Sequence, residues 1–281
     1  IWGLGKWKFG SDWARRIWLF DRLVWSVMSY GVEIWGWKGR EEMERIQERY
    51  LRWVLGVSRR VGGYLVREEL QRDRLESRAG LRAWSYEKRI EEGGGGLIAW
   101  RCRMEMRKRI RAGRGLVGWK AERGGFYEDR GQNLIEVERM WEEGEMREEE
   151  WVKMDKRKQE KERWEKNWGS RSNSNYKFVT GPGIPAYIKK GWSEERWSRY
   201  ARFRLGDCLK GNRYWEDRDN KLCNVCGLEL KSCEHVWEVC SGLGVEKGWQ
   251  EIRVEVLGED GQGKNWLKSI EMLWGTAGWK K

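Results

Sequence analysis

The chain has 281 residues, of which 39% are hydrophobic and 36% are charged, so it must fold around a lean apolar core. Lysine and arginine exceed aspartate and glutamate by 57 to 45, and the net charge of +12 favours a polyanionic partner, with nucleic acid as the first candidate. The most apolar stretch, residues 17–28, is short and contains Asp21 and Arg22, which excludes a membrane span, and no signal peptide is visible.

Helical periodicity runs through the first 112 residues. From Trp13 to Val27, apolar side chains recur every three or four positions, which predicts a helix from a cap at Ser11 or Asp12 to about Met28. Residues 32–37 are predicted to form a short extended link. Further helices are predicted at 41–55, 64–70, 75–90 and 98–112. The sequence therefore predicts a helical bundle over residues 1–112.

Residues 113–183 are predicted to connect this bundle to the C-terminal part. A glycine-rich linker is predicted over 113–131, and a second linker, rich in serine, asparagine and glycine, over 169–183. Between them, residues 134–168 are predicted to form one long helix, stabilised by opposite charges four residues apart. Because the charges of this helix nearly cancel, we expect a solvated spacer rather than a binding face.

The last part, residues 184–281, contains four residues with metal-ligand spacing: Cys223-x2-Cys226-x8-His235-x4-Cys240. Two cysteines three apart can hold an ion from one turn, and a His/Cys pair five apart can complete a tetrahedron. Gly227 stands where a backbone that turns its N–H groups toward sulfur often needs a positive φ. The spacing predicts one structural zinc ion with no open coordination position. Cys233 could compete as a ligand or be a spare thiol, and the alternative to a metal site is coincidental spacing in a reduced, buried patch.

The cysteine count and the single histidine restrict the compartment and the catalytic sites that the chain can have. With four of six cysteines in one site, we expect no disulfide framework and a reducing compartment, either cytoplasm or nucleus. A Ser-His-Asp or Cys-His catalytic site is excluded because the only histidine, His235, is predicted to bind metal. No phosphate-binding loop and no clustered aspartates occur. We therefore expect this chain to have no enzymatic activity and no small-molecule substrate.

Cations and aromatic residues alternate just before the cysteine motif, on a helix predicted over 193–205. Cations can contact phosphates, and aromatic faces can stack on unpaired bases. This predicts a strip that binds single-stranded nucleic acid, formed by Lys189, Lys190, Trp192, Arg196, Arg199, Tyr200, Arg202, Phe203, Arg204 and Arg213. The alternative is a core-facing stripe of Trp197, Ala201 and Leu205 with solvated arginines around it.

The chain resembles the C-terminal part of non-long-terminal-repeat (LINE-like) retrotransposon reverse transcriptases. The residues that carry the resemblance are Tyr-Gly-Val-Glu-Ile-Trp-Gly at 30–36, Glu-Arg-Ile-Gln-Glu-Arg-Tyr at 44–50, Ala-Arg-Phe-Arg-Leu-Gly at 201–206, and the Cys/His motif. The first two are similar to the region after the polymerase palm, and the others to the CCHC zinc knuckle. The resemblance implies a mostly α-helical protein with a thumb-like bundle at 1–112, a charged spacer at 113–183, and a zinc-knuckle module at 184–281.

In that family the thumb grips the template–primer duplex, and the knuckle helps to bind element RNA or target DNA during target-primed reverse transcription. The resemblance therefore implies a nucleic-acid-binding, non-catalytic fragment. No two aspartates are adjacent in the chain, so RNA-directed DNA polymerase activity would belong to the parent polyprotein. The chain opens on Ile1, and we expect it to be a piece of something longer. The alternatives are a helical protein–protein scaffold with a structural zinc site and a decayed element copy without present function.

Overall fold

A computed structural model describes residues 1–113, 117–169, 175–208, 217–241 and 247–274. Within these residues the chain is mostly helical, as predicted, and the only extended pairing is an isolated antiparallel bridge between Leu222 and Leu230. None of the helices in these ranges has the length and apolar character that a membrane crossing requires.

The helices of the first half are α1 (Trp2–Phe9), α2 (Trp13–Leu19), a π-helical segment (Phe20–Trp25), α3 (Ser26–Met28), α4 (Val32–Trp35), α5 (Glu41–Leu55), α6 (Gly63–Glu69), α7 (Leu75–Glu91), α8 (Gly96–Arg111) and α9 (Trp119–Glu128). Those of the second half are α10 (Leu134–Glu142), α11 (Glu148–Gly169), α12 (Tyr176–Val179), α13 (Ala186–Lys189), α14 (Glu194–Arg204), α15 (Arg218–Lys221), α16 (Cys233–His235), a second π-helical segment (Val236–Cys240), α17 (Trp249–Leu257) and α18 (Lys264–Trp274).

Local sequence signals account for the ends of several helices. Helix α5 covers the predicted residues 41–55; three glutamates lie in its first turn, and Gly56 follows it in the left-handed region with φ of 68°. Asp12 caps α2, as predicted, because its side chain accepts a hydrogen bond from the Arg15 backbone N–H at 2.9 Å. These signals act within one turn of chain, which is why the sequence alone predicts them.

Two predictions for the N-terminal region are wrong in detail. Residues 32–37 are not an extended link, since Val32–Trp35 form the single turn α4, which begins after Gly31 at φ of 65° and buries Val32 completely. The helix predicted up to Met28 is interrupted by the π-helical segment Phe20–Trp25. Hydrophobic periodicity at three and four residues does not distinguish such an interruption from a continuous α-helix.

The contacts within the chain divide it into two compact units, each assembled from separate stretches of sequence. The metal-site unit comprises Ile1–Arg22, Glu48–Arg72 and Lys166–Lys281. The arginine-core unit comprises Leu23–Gln47 and Asp73–Glu165. The predicted boundaries at residues 112 and 183 assumed continuous domains, and neither coincides with a limit of these units. Segments far apart in sequence share a core, which composition shifts along the chain do not reveal.

The predicted solvated spacer supplies much of the apolar core of the arginine-core unit, so that prediction is wrong. Helix α9 lies inside the predicted linker, and the predicted helix 134–168 is two helices because Gly144, with φ of 70°, ends α10. A Cβ on Gly80 would lie 2.2 Å from the ring of Phe126, so only glycine admits this close approach. The core residues from the predicted linker 113–131 are Phe126 and Tyr127, and those from the predicted spacer helix 134–168 are Leu134, Val137, Met146, Trp151 and Met154.

The polar centre of the arginine-core unit is the fully buried carboxylate of Glu138. Arg103 Nη1 donates to its Oε1 at 2.9 Å, Arg107 Nε donates to its Oε2 at 3.0 Å, and Arg123 Nη1 donates to its Oε1 at 2.5 Å. Burial alone would raise the pKa of Glu138, but Arg123 and Arg103 outweigh burial and hold this pKa at about 2. The carboxylate is therefore ionised at neutral pH.

Candidate metal centre

The first two candidate ligands lie in a short hairpin. A bridge joins Leu222 to Leu230, and the Cys223 N–H donates to the Glu229 carbonyl oxygen at 2.7 Å. The Gly227 N–H donates back to the Cys223 carbonyl oxygen at 2.8 Å, which closes a tight turn. Gly227 has φ of 70°, as the sequence predicted, so the turn uses the conformational freedom of glycine to bring the two thiols together.

The other two candidate ligands come from the helical segment that follows. Ser232 begins α16, because its Oγ accepts a hydrogen bond from the His235 backbone N–H at 3.0 Å. The chain then continues as the π-helical segment Val236–Cys240. In a π-helical turn, hydrogen bonds join residues five apart. This wider turn brings His235 and Cys240, which are five residues apart, to the same side of the segment.

The four predicted ligands meet in space: the donor atoms of Cys223, Cys226, His235 and Cys240 all lie within 4.8 Å of one another. His235 Nε2 is 3.1 Å from the sulfurs of both Cys226 and Cys240, and the sulfurs of Cys223 and Cys240 are 3.8 Å apart. Tetrahedral sulfurs at a zinc–sulfur length of about 2.3 Å are separated by about 3.8 Å. The sulfur spacing therefore fits a site that could hold one metal ion.

The electrostatics of the thiols favour a cation at this point. Backbone N–H groups of Leu228 and Glu229 lower the pKa of Cys226 to about 6. Burial, together with the neighbouring thiols of Cys223 and Cys226, raises the pKa of Cys240 to about 12. One thiolate is therefore stabilised by the hairpin itself, whereas a second one needs a positive charge nearby. A bound divalent cation provides that charge.

Two further residues clarify the composition of the site. Cys233 is buried but does not belong to the group of four, and its burial raises the pKa of its thiol to about 12, so it remains an uncharged thiol at neutral pH. Glu229, which sequence reasoning missed, accepts a hydrogen bond from His235 Nδ1 at 2.9 Å. No spacing rule marks it, because an exposed glutamate in a charge-rich sequence carries no distinguishing signal.

The predicted nucleic-acid strip is not one continuous surface. Tyr200 and Phe203 are 1% exposed and Trp192 is 8% exposed, so these three rings are not available to stack on bases. Arg204 is fully buried. The alternative that the sequence left open, a core-facing stripe of Trp197, Ala201 and Leu205, agrees with the burial of all three. Because apolar side chains three or four positions apart share one face of a helix, Tyr200 and Phe203 lie on the buried face of α14.

Several cations of the strip are neutralised by carboxylates. Arg204 forms a fully buried ion pair with Glu69, with Nε donating to Oε1 at 2.7 Å. Arg199 and Arg202 both donate to the carboxylate of Glu271, and the Arg202 contact is 2.6 Å. These residues serve the fold of the metal-site unit. Arg213 lies outside the described residues.

Of the remaining cations of the strip, Arg196 lies against the Trp192 ring, as does Lys264, which the predicted strip did not include. The Arg196 guanidinium lies 4.3 Å and Lys264 Nζ 5.8 Å from the centroid of the Trp192 ring, and Lys190 Nζ donates to the Asp260 carbonyl oxygen at 2.6 Å. Among the described residues, none of these three cations forms an ion pair with a carboxylate. We call Lys190, Trp192, Arg196 and Lys264 the Trp192 group. The neighbouring Lys189 is exposed. Sequence reasoning missed Lys264, which comes from a helix 72 residues after Trp192.

Comparisons of the chain with protein-family models, curated proteins and solved structures found no match.

Proposed function

We propose that this chain binds single-stranded nucleic acid as a non-catalytic part of a retrotransposon reverse transcriptase. The sequence resemblance supports the family, and the net charge of +12 supports a polyanionic partner. In this proposal the parent polyprotein supplies the polymerase active site. The present chain supplies cationic contacts to the RNA or DNA strand within a metal-stabilised module.

The observation that carries the proposal is the Trp192 group. Three cations lie on one part of the metal-site unit without carboxylate partners among the described residues, and two of them face the same indole ring. Like charges held close together repel one another unless an anion lies between them. Consecutive phosphates of a nucleic-acid strand provide such anions, and the flexible lysine and arginine heads can follow their spacing.

The proposed metal is one zinc ion held by Cys223, Cys226, His235 and Cys240. Three thiolates and one imidazole form a donor set that zinc prefers, and all four tetrahedral positions are filled by the protein. Such an ion supplies folding free energy rather than reactivity. Its role would be to hold the hairpin 222–230 and the segment 233–240 together beside α17 and α18.

The test is the salt dependence of the affinity of the full chain for an RNA oligonucleotide and a DNA oligonucleotide of the same sequence. The triple variant Lys190→Gln, Arg196→Gln, Lys264→Gln should weaken binding roughly tenfold and reduce the slope of log affinity against log salt by roughly 2, since each single-strand phosphate contact contributes about 0.7.

A control variant with the same charge change uses three exposed cations of the metal-site unit outside the Trp192 group: Lys6→Gln, Arg59→Gln, Lys268→Gln. It should lower affinity less and leave most of the slope in place. Equal effects of the two triple variants would remove the Trp192 group as the binding site. Absence of binding to either oligonucleotide by the wild-type, zinc-loaded chain would overturn the proposed function.

A second candidate function, a protein–protein scaffold, rests on one different observation. The hairpin of the metal centre exposes apolar side chains to solvent, with Leu228 82%, Leu230 50% and Val225 43% exposed. Apolar docking depends little on salt, whereas phosphate binding weakens steeply as salt increases. The salt series described above therefore also distinguishes these two functions.

A further inference from the structure

The carboxylate of Glu229 faces the only histidine of the candidate metal centre. His235 Nδ1 lies 2.9 Å from Glu229 Oε2, and the other ring nitrogen, Nε2, lies 3.1 Å from the sulfurs of Cys226 and Cys240. An ionised carboxylate can only accept a hydrogen bond, so Nδ1 must carry the hydrogen of this pair. In the neutral ring Nε2 then has a free lone pair directed at the sulfurs, which is the form that binds a metal ion.

The backbone of the same residue contacts a second candidate ligand. The Glu229 carbonyl oxygen accepts a hydrogen bond from the Cys223 N–H at 2.7 Å. One residue therefore makes direct contacts to two of the four ligands, His235 and Cys223. The hairpin holds its backbone in register, which in turn directs its side chain toward the imidazole.

We infer that Glu229 is a positioning residue of the metal centre, which selects the tautomer of His235 and orients its ring. This inference rests on the metal centre proposed above. The Glu229 side chain is 65% exposed whereas that of His235 is 4% exposed, so the hydrogen bond contributes little to folding but acts on a buried ligand. Partners of this kind change metal affinity by about 10- to 100-fold when they are removed.

The experiment measures zinc affinity of the full chain by competition with a chromophoric chelator, without nucleic acid present. Glu229→Ala removes the acceptor and should weaken zinc binding by about 10- to 100-fold. Glu229→Gln should have a smaller effect, because its amide oxygen can still accept from Nδ1 and its backbone contacts are unchanged. The control is Glu234→Gln, which removes the same charge from an exposed position next to His235.

A spectroscopic measurement separates positioning from general destabilisation. With Co²⁺ in place of zinc, the visible absorption bands report the geometry of the ligands, and Glu229→Ala should shift them whereas Glu234→Gln should not. Thermal unfolding of the metal-free variants should be the same for both. If Glu229→Ala matches Glu234→Gln in zinc affinity and in the Co²⁺ spectrum, Glu229 has no positioning role. If the wild-type chain binds neither metal, the proposed metal centre itself is overturned, whatever the result for nucleic acid.

Discussion

Replacement of Arg204 by alanine should unfold the helix that carries it rather than weaken a surface contact. The pair of Arg204 and Glu69 is fully buried, and Tyr187 and Tyr176 also donate to the carboxylate, at 2.7 and 3.0 Å. In Arg204→Ala the two hydroxyls remain, but the carboxylate loses its only countercharge in this contact. Removal of one partner from a buried ion pair costs about 3–5 kcal/mol. That is a large part of the roughly 5–15 kcal/mol that stabilises a typical domain.

The assay is hydrogen exchange of the peptides that cover α14 and α6, because both helices lie in the metal-site unit and hydrogen exchange reports local opening of a helix. The matched control is Arg196→Ala on the same helix, for which we expect less than about 1 kcal/mol, since Arg196 has no carboxylate partner among the described residues. The double variant Glu69→Gln, Arg204→Met should recover part of the loss, because it leaves no unpaired charge in the core.

The opposite order of effects would refute this reasoning. If Arg204→Ala opens α14 no more than Arg196→Ala does, the buried pair does not stabilise the unit. Nucleic-acid binding provides a second comparison of the same two variants: Arg196→Ala should weaken binding while the helix stays folded, whereas Arg204→Ala should act on binding only through loss of folded protein.

Three other predictions concern acid stability, the metal and the core. The pKa of Glu138 is about 2 in the folded chain, below its ordinary value of 4.5. The ionised carboxylate therefore contributes about 3 kcal/mol to the unfolding free energy above pH 4.5, and this contribution is lost as pH falls toward 2. Glu138→Gln should flatten this part of the curve of unfolding free energy against pH. Zinc chelation, or His235→Ala, should increase proteolytic cleavage within 222–240, because the metal ion would hold this segment together, and should leave the arginine-core unit intact. Equal cleavage of both units would contradict this prediction. Gly80→Val should lower the unfolding free energy of the arginine-core unit by about 1–3 kcal/mol, measured by urea denaturation, while Gly125→Ala, with nothing within 4 Å, should not.

The metal centre is the part of the structure that the sequence alone predicted best. Its four ligands lie within 18 consecutive residues, and the hairpin and π-helical turn that align them depend on local hydrogen bonds and on Gly227. The predicted zinc ligands converge for that reason. Helix α5 was predicted with its observed ends because caps, charges and periodicity also act over one or two turns.

Long-range partners were decided only by the tertiary structure. The sequence predicted Arg204 as part of a strip that binds nucleic acid, but in the fold Arg204 pairs with Glu69, which lies 135 residues earlier in the chain. The charged residues of 134–168 suggested a solvated spacer, yet Glu138 from this segment lies between three arginines in a core. The physical reason is common to both cases. Composition gives the number of charges and apolar groups in a segment, but whether each is buried, paired or free depends on which distant segment folds against it.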